Sequence, residues 1–269
     1  MSGGLKFTGG SRRAVQLHTV PAMIPIGDDD QATGLPFVNL AIIAINVLVF
    51  VLLQLPSDAF TMGFSVIPKE ITHGVDLVGP VTIPLPDGTA ALIDEAPGPS
   101  PIWLTLFSSM FMHGGWAHLG GNMLFLFVFG DNVERALGHL KYLAFYLVCG
   151  VIAAYAQIFS GPESVIPSLG ASGAISGALA AYLVYFPNNP VRVLVGWGFV
   201  TRVPALFMIG LWALLQFVNG FGSITVSDQT GGVAYWAHIG GFVAGVVLAF
   251  VLRPFANIGG SPRRQAMYR

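Results

Sequence analysis

Three short stretches of an otherwise apolar chain carry groups able to do chemistry. The first is Ser168-Leu-Gly-Ala-Ser-Gly-Ala-Ile-Ser-Gly177, which holds three hydroxyls and three glycines. A serine flanked by residues this small, as Ser172 is, can be approached by another backbone. The second is Met112-His-Gly-Gly-Trp-Ala-His-Leu-Gly-Gly-Asn-Met123. In it His118 and Asn122 lie four apart and share one helical face, with His113 just before the Gly114-Gly115 pair. The third is Tyr235-Trp-Ala-His-Ile-Gly-Gly-Phe-Val-Ala-Gly245, with His238, Gly241 and Gly245 on one face. A serine hydroxyl is a poor nucleophile until a base takes its proton. A neutral imidazole can take that proton and return it to a leaving amine. Each stretch alone also has a structural reading. Gly173, Gly177 and Ala181 stand at helix-packing spacing, and a membrane histidine often bonds a neighbouring backbone. A metal site is weakly supported, because no Asp, Glu or Cys lies near the histidines.

The elements that must position these groups are membrane helices. The 269-residue chain is 54% hydrophobic and 9% charged, with mean hydropathy +0.71. Apolar runs near twenty residues recur over 36–55, 102–130, 142–159, 170–187, 203–221 and 235–252. The second is long, and its outer part, 102–114, reads as a possible separate segment. No charged region followed by a short apolar run and cleavage site opens the sequence, so no removable signal peptide is expected. Cys149 is the single cysteine, which excludes an internal disulfide. Lys6, Arg12, Arg13, Arg135, Lys141, Arg192, Arg202, Arg253, Arg263, Arg264 and Arg269 all fall in segments that six spans place on one side. Only Lys69 is opposite. The positive-inside rule makes that side cytoplasmic, with both termini there.

Residues 1–35 read as a flexible cytoplasmic tail and 253–269 as a basic cytoplasmic tail, flanking a six-helix domain over 36–252. The external loop 56–101 is too long for a plain connection, and Pro84-Leu-Pro-Asp-Gly88 within it marks a hairpin turn. His73 reads as a solvated loop residue. Glu134 and Gly138 read as capping and connecting helices. Asn39 and Asn46, seven apart, read as inter-helix hydrogen-bonding residues. The loop 222–232 is rich in glycine and small polar residues, a candidate mobile lid.

Depth ties the three stretches together. The second, fourth and sixth helices run in the same direction. His118 lies about 12 residues, and Ser172 and His238 about 14, from the cytoplasmic ends of their helices, or roughly 18 to 21 Å. All three therefore fall in the outer part of a hydrocarbon core about 30 Å thick. Polar groups converging at one level in a membrane point to a site. Ser172 is then the nucleophile and His238 the base. The Asn122 amide, the His118 ring and the Ser172 backbone N–H are the donors for an oxyanion. No Asp or Glu lies near His238 in sequence or at its depth in any span, which favours a dyad over a triad.

At these residues the chain resembles the rhomboid intramembrane serine proteases. The resemblance rests on Gly170-Ala-Ser-Gly173, on His113, His118 and Asn122, on Ala237-His238-Ile-Gly-Gly241 with Gly245, and on the turn Glu134 to Gly138. It implies an all-α, six-transmembrane-helix bundle, with Ser172 and His238 catalytic, His118 and Asn122 in the oxyanion hole, and His113 and Gly170 lining the site. It also implies that the fifth helix and the following loop form a lateral gate and cap. Transmembrane proteins are the implied substrates, cut in or beside a membrane segment, and neither a metal nor an organic cofactor is expected. The partners are those substrates and the lipid bilayer, with no nucleic acid; the oligomeric state is not legible. Some relatives carry a tyrosine four residues after the nucleophile, packed on the catalytic histidine. Here that position is Ser176, read as a polar contact orienting His238. The alternatives are an inactive rhomboid-like scaffold that binds membrane clients and a histidine-lined transporter. The six-span core without an extra helix favours the inner membrane of a bacterial cell.

Overall fold

The computed structural model describes residues 23–29, 34–84, 90–196, 198–225 and 233–258. Residues 1–22, 30–33, 85–89 with most of the expected hairpin turn, 197, 226–232 with most of the expected lid, and 259–269 lie outside the described residues. All six apolar runs are helical.

Helix α1, Phe37–Gln54, shows why the bundle belongs in hydrocarbon. It buries Asn39, Asn46 and Gln54 while exposing Leu40, Leu48, Leu52 and Leu53. In water that arrangement would be inverted, since leucine seeks the interior and amides the surface. In a bilayer the amides must find protein partners and the leucines face lipid. Asn39 does so: its Nδ2 donates to the Leu126 carbonyl at 2.9 Å, and Tyr142 Oη donates to its Oδ1 at 2.8 Å. Asn46 departs from the expected inter-helix bond, because its Nδ2 donates to Ile42 one turn back in its own helix. Glu134, 1% exposed, holds the start of α1, accepting the N–H groups of Val38 and Asn39 at 3.0 and 2.7 Å. A carboxylate suits a helix N-terminus, where unpaired N–H groups point outward.

The long loop after α1 carries regular elements on both sides of residues 85–89. It forms α2 (Asp58–Phe64), capped by Ser57, whose hydroxyl accepts Phe60 N–H, and α3 (Pro68–His73). Strands β2 (Gly79–Pro84) and β3 (Ala90–Glu95) then pair antiparallel on either side of the expected turn. His73 is exposed and meets Glu163 at 2.9 Å. The second apolar run is two helical pieces. A short α4, Ile102–Phe111, stops before Gly114 and Gly115, and α5 (Trp116–Phe125) continues through a π turn into α6 (Asp131–Leu137). Gly138, at φ +79°, turns the chain into α7 (His139–Ser160).

Helix α8, Ser172–Tyr185, is the centre of the bundle, with every residue from Gly173 to Tyr182 buried. Helices α9 (Ala205–Thr225) and α10 (Tyr235–Leu252) follow. A Cβ on Gly241 would run into the Gly173 carbonyl oxygen, and one on Gly245 into that of Gly177. Backbone therefore touches backbone along α8 and α10, the contact that small residues permit in membranes. Helices α1, α7 and α10 (extended to Phe255) are long and apolar enough to cross a membrane; α4, α8 and α9 are shorter apolar helices.

Two features correct the sequence reading. The architecture is not purely helical: β4 (Pro190–Val195) and β5 (Phe199–Pro204) form a hairpin between α8 and α9. And residues 23–28, expected as part of a flexible tail, form strand β1, antiparallel to β4, giving the sheet order β1-β4-β5. Alternation explains β4: Val191 and Val193 are fully buried while Arg192 between them is partly exposed. Asp28 anchors β1, accepting Asn132 Nδ2 at 2.6 Å and Tyr182 Oη at 2.5 Å.

Candidate active site

The loop ahead of α8 is pinned before the helix begins. Ser168 and Val66 exchange backbone hydrogen bonds at 2.8 and 3.0 Å, tying this loop to the 56–101 loop. Gly170 N–H donates to the Ser109 carbonyl at the end of α4, at 2.9 Å. Gly170 sits at φ +139°, and a Cβ there would lie 3.0 Å from two atoms of the His118 ring and 3.6 Å from Ser172 Oγ. Glycine is therefore required on both counts, conformation and space. Ser172 is the first residue of α8, so its N–H belongs to the turn that has no intrahelical acceptor. Ser172 also lines a small pocket together with Ser109, Gln157, Ser168, Gly170 and Ala237.

His238 stands in the first turn of α10. Its Nε2 lies 2.8 Å from Ser172 Oγ, and its Nδ1 lies 2.8 Å from Gln216 Oε1 on α9. With the Gln216 carbonyl oxygen as acceptor, the ring proton resides on Nδ1 and the Nε2 lone pair faces the serine hydroxyl. The Trp212 ring lies beside the imidazole, centroids 5.9 Å apart and planes tilted by 41°. Gln157 on α7 accepts the Ala237 N–H at 3.3 Å, holding the start of α10.

On the other side of Ser172, His118 Nδ1 accepts the Gly114 N–H at 3.2 Å. That leaves the His118 proton on Nε2, next to Gly170. Asn122 follows one turn along α5, and its buried Nδ2 has no acceptor among the described residues. An unspent buried donor costs stability unless something else uses it. His113 packs edge-on against His118 at 5.1 Å, and both its ring nitrogens are buried without a protein partner among the described residues. Its backbone is clasped by Gln54, which accepts its N–H at 2.8 Å and donates to its carbonyl at 3.1 Å.

Ser172, His238, His118, His113 and Gly170 are thus gathered at one place, with Asn122 on the adjoining turn. Ser176 is not part of the histidine's surroundings as expected. Its hydroxyl donates to the Ser172 carbonyl at 2.6 Å, back along its own helix, and the residue is fully buried. The physical reason is reach: a serine hydroxyl on α8 finds the carbonyl four residues back, a common alternative for Ser in helices, while Gln216 has the length to span from α9. Gln216 and Gln54 are the partners of these histidines that reasoning from the sequence missed. The available signal was a polar amide inside an apolar helix, and, for Gln216, its place four residues after Trp212 on one face.

The family model for the Rhomboid domain matches residues 101–255. Among similar proteins, the rhomboid protease GluP of Bacillus subtilis is 34% identical over 151 residues, 56% of this chain and 26% of that protein. The rhomboid protease AarA of Providencia stuartii is 31% identical over 169 residues, 56% of this chain and 57% of that protein. The mitochondrial rhomboid protein 1 of Saccharomyces cerevisiae is 26% identical over 218 residues, 79% of this chain and 52% of that protein. The chain spans about half or less of the length of these relatives. With the domain matched over more than half of its residues, from α4 to the end of α10, this chain belongs to the rhomboid family of multi-pass membrane proteins.

Proposed function

We propose that this protein is an intramembrane serine endopeptidase that cuts transmembrane proteins in or beside a membrane segment. The observation that carries the reading is the 2.8 Å approach of His238 Nε2 to Ser172 Oγ across the α8–α10 seam. In the proposed reaction the Ser172 hydroxyl proton passes to His238 Nε2 as Oγ bonds to the scissile carbonyl carbon. The carbonyl oxygen becomes an oxyanion, for which His118 Nε2–H, Asn122 Nδ2 and the Ser172 N–H are the donors. Collapse expels the amine, which takes the proton from His238. Water then adds to the acyl carbon, giving its proton to His238, and the serine leaves with that proton. Names of relatives as proteases support this reading, as does the unpartnered Asn122 donor.

The bundle is read as six spans with both termini cytoplasmic, the 56–101 loop external, and the membrane as the inner membrane of a bacterial cell. The β1-β4-β5 sheet would then lie on the cytoplasmic side.

The test uses the detergent-solubilised chain and a transmembrane peptide, beside Ser172→Ala and His238→Ala. Cleavage by the parent and loss in both variants is expected. No cleavage by the parent, or equal cleavage by all three, overturns the peptidase reading.

A further inference from the structure

The geometry points to Gln216 as the positioning residue of the catalytic base, so that helix α9 supplies part of the catalytic arrangement. This rests on the peptidase reading of Ser172 and His238. On α8, Ser176 gives its hydroxyl proton to the Ser172 carbonyl and makes no hydrogen bond with the imidazole among the described residues. The groups that do contact the ring beyond Ser172 come from α9: Gln216 Oε1 on Nδ1 at 2.8 Å, and Trp212 against the ring, one helical turn away. Gln216 is half-buried, as is His238, in a helix with otherwise apolar neighbours from Leu211 to Val218. A polar residue placed there is costly unless it is paired, and its pair is His238.

The chemistry requires one face of that amide. A carboxamide presents an oxygen or an NH₂ group. With the oxygen on Nδ1, the proton stays on Nδ1, and Nε2 is free to accept from Ser172. With the NH₂ on Nδ1, the proton moves to Nε2 and the base is disabled. Gln216 therefore does for this dyad what an orienting carboxylate does for a triad: it holds tautomer and ring direction. It does so without a fixed charge in an apolar helix.

The experiment compares the full chain with Gln216→Met and Gln216→Glu on one transmembrane peptide, with Ser172→Ala as blank. Methionine keeps the volume and removes the acceptor. Glutamate keeps the acceptor and has no NH₂ face to present. We expect Gln216→Met to lose at least about tenfold in kcat, part of the scale of a general-base contribution, with KM unchanged and the thermal midpoint near that of the parent. Gln216→Glu should retain kcat within about threefold of the parent and shift the pH–rate profile. An active parent with Gln216→Met at parental kcat overturns the inference and leaves the peptidase reading standing. So does a Gln216→Glu variant as impaired as Gln216→Met, or an effect confined to KM. A parent with no activity over the Ser172→Ala blank overturns the peptidase reading itself.

Discussion

Along its glycines helix α10 is held by α8 through backbone, with Tyr185 Oη donating to the Ala249 carbonyl at 3.0 Å further along, and it is held by α9 through side chains. Against α8, Gly241 and Gly245 lie so close to the carbonyls of Gly173 and Gly177 that no side chain fits. Against α9 the contacts are ring on ring: Trp212 with Phe242 at 6.2 Å and Phe221 with Trp236 at 5.5 Å, with Gln216 on His238. The outer face of α9 shows Leu206, Phe207, Leu214, Leu215 and Val218 to the surroundings. A backbone seam leaves no rotamers to change, so the spacing between Ser172 and His238 is fixed by the fold. A side-chain seam can part and re-form, because each contact is separately replaceable. The two seams divide the site's needs: one sets distance and the other sets direction.

The sharpest way to break that division is Gly241→Ala. The added methyl meets a carbonyl that cannot rotate away, so α10 must move off α8. Overpacking of this kind costs about 1–3 kcal/mol, and the serine–histidine distance opens with it. Cleavage should be lost together with several degrees of thermal midpoint, measured on the same detergent-solubilised sample. Activity at the parental level would show that the seam does not set the distance.

A smaller effect is expected from Trp212→Leu on the other seam. It removes the ring beside His238 while leaving an apolar side chain of fair size. Loss of packing should cost about 1–3 kcal/mol at most, and kcat should fall less than for Gln216→Met, since the Nδ1 acceptor remains. Equal kcat losses in the two variants, read under saturating peptide, would assign direction to packing instead of the hydrogen bond.

A third contact adds a pH-dependent element that the backbone seam lacks. The 56–101 loop pairs with the loop ahead of α8 through Val66 and Ser168, and it buries Glu70 and Glu95. Burial pushes both carboxyls up to about 7, partly opposed in Glu70 by the Leu77 N–H and reinforced in Glu95 by the charges of Glu70 and Asp94. Both exceed their ordinary value of 4.5, so the folded loop keeps protons that the unfolded chain has released. The pair's contribution is full below about 4.5 and falls as pH rises through about 7. Amide protection factors in β2 and β3, corrected for the intrinsic rise of exchange with pH, should fall across that window while those along α8 stay flat. Glu95→Gln, which cannot ionise, should flatten the loop's response.

The two seams were unequally legible in the sequence. The α8–α10 contact could be read because Gly173, Gly177, Gly241 and Gly245 repeat at helical spacing, and because a serine and a histidine stand out in apolar runs. The approximate bounds of the six helices were readable for the same reason. The α9 contribution was not, since the spacing of Gln216 from Trp212 does not say which group across the bundle it meets; its meaning lies 22 residues away at His238. Ser176 misled because sharing a face with Ser172 says nothing about which acceptor is nearest. The β1-β4-β5 sheet was hidden by context: β1 lies in a stretch with proline and glycine, and β4 and β5 are six residues each between two long apolar helices. Strand pairing between segments more than 160 residues apart leaves no local pattern.

The smallest expected effect is also the cleanest control on the comparison. Gly210 lies on α9, half-buried, and a Cβ built on it meets nothing within 4 Å. Its backbone is helical, so alanine fits without strain and gains helix propensity, up to about 1 kcal/mol in a helix interior. Gly210→Ala should leave kcat and KM unchanged and raise the thermal midpoint slightly or not at all. Set beside Gly241→Ala, the same atom is added to the same residue type in neighbouring helices, and only the surroundings differ. A loss of cleavage in Gly210→Ala would mean that α9 packs closely against its neighbours during the proposed reaction, and that direction as well as distance is set by backbone.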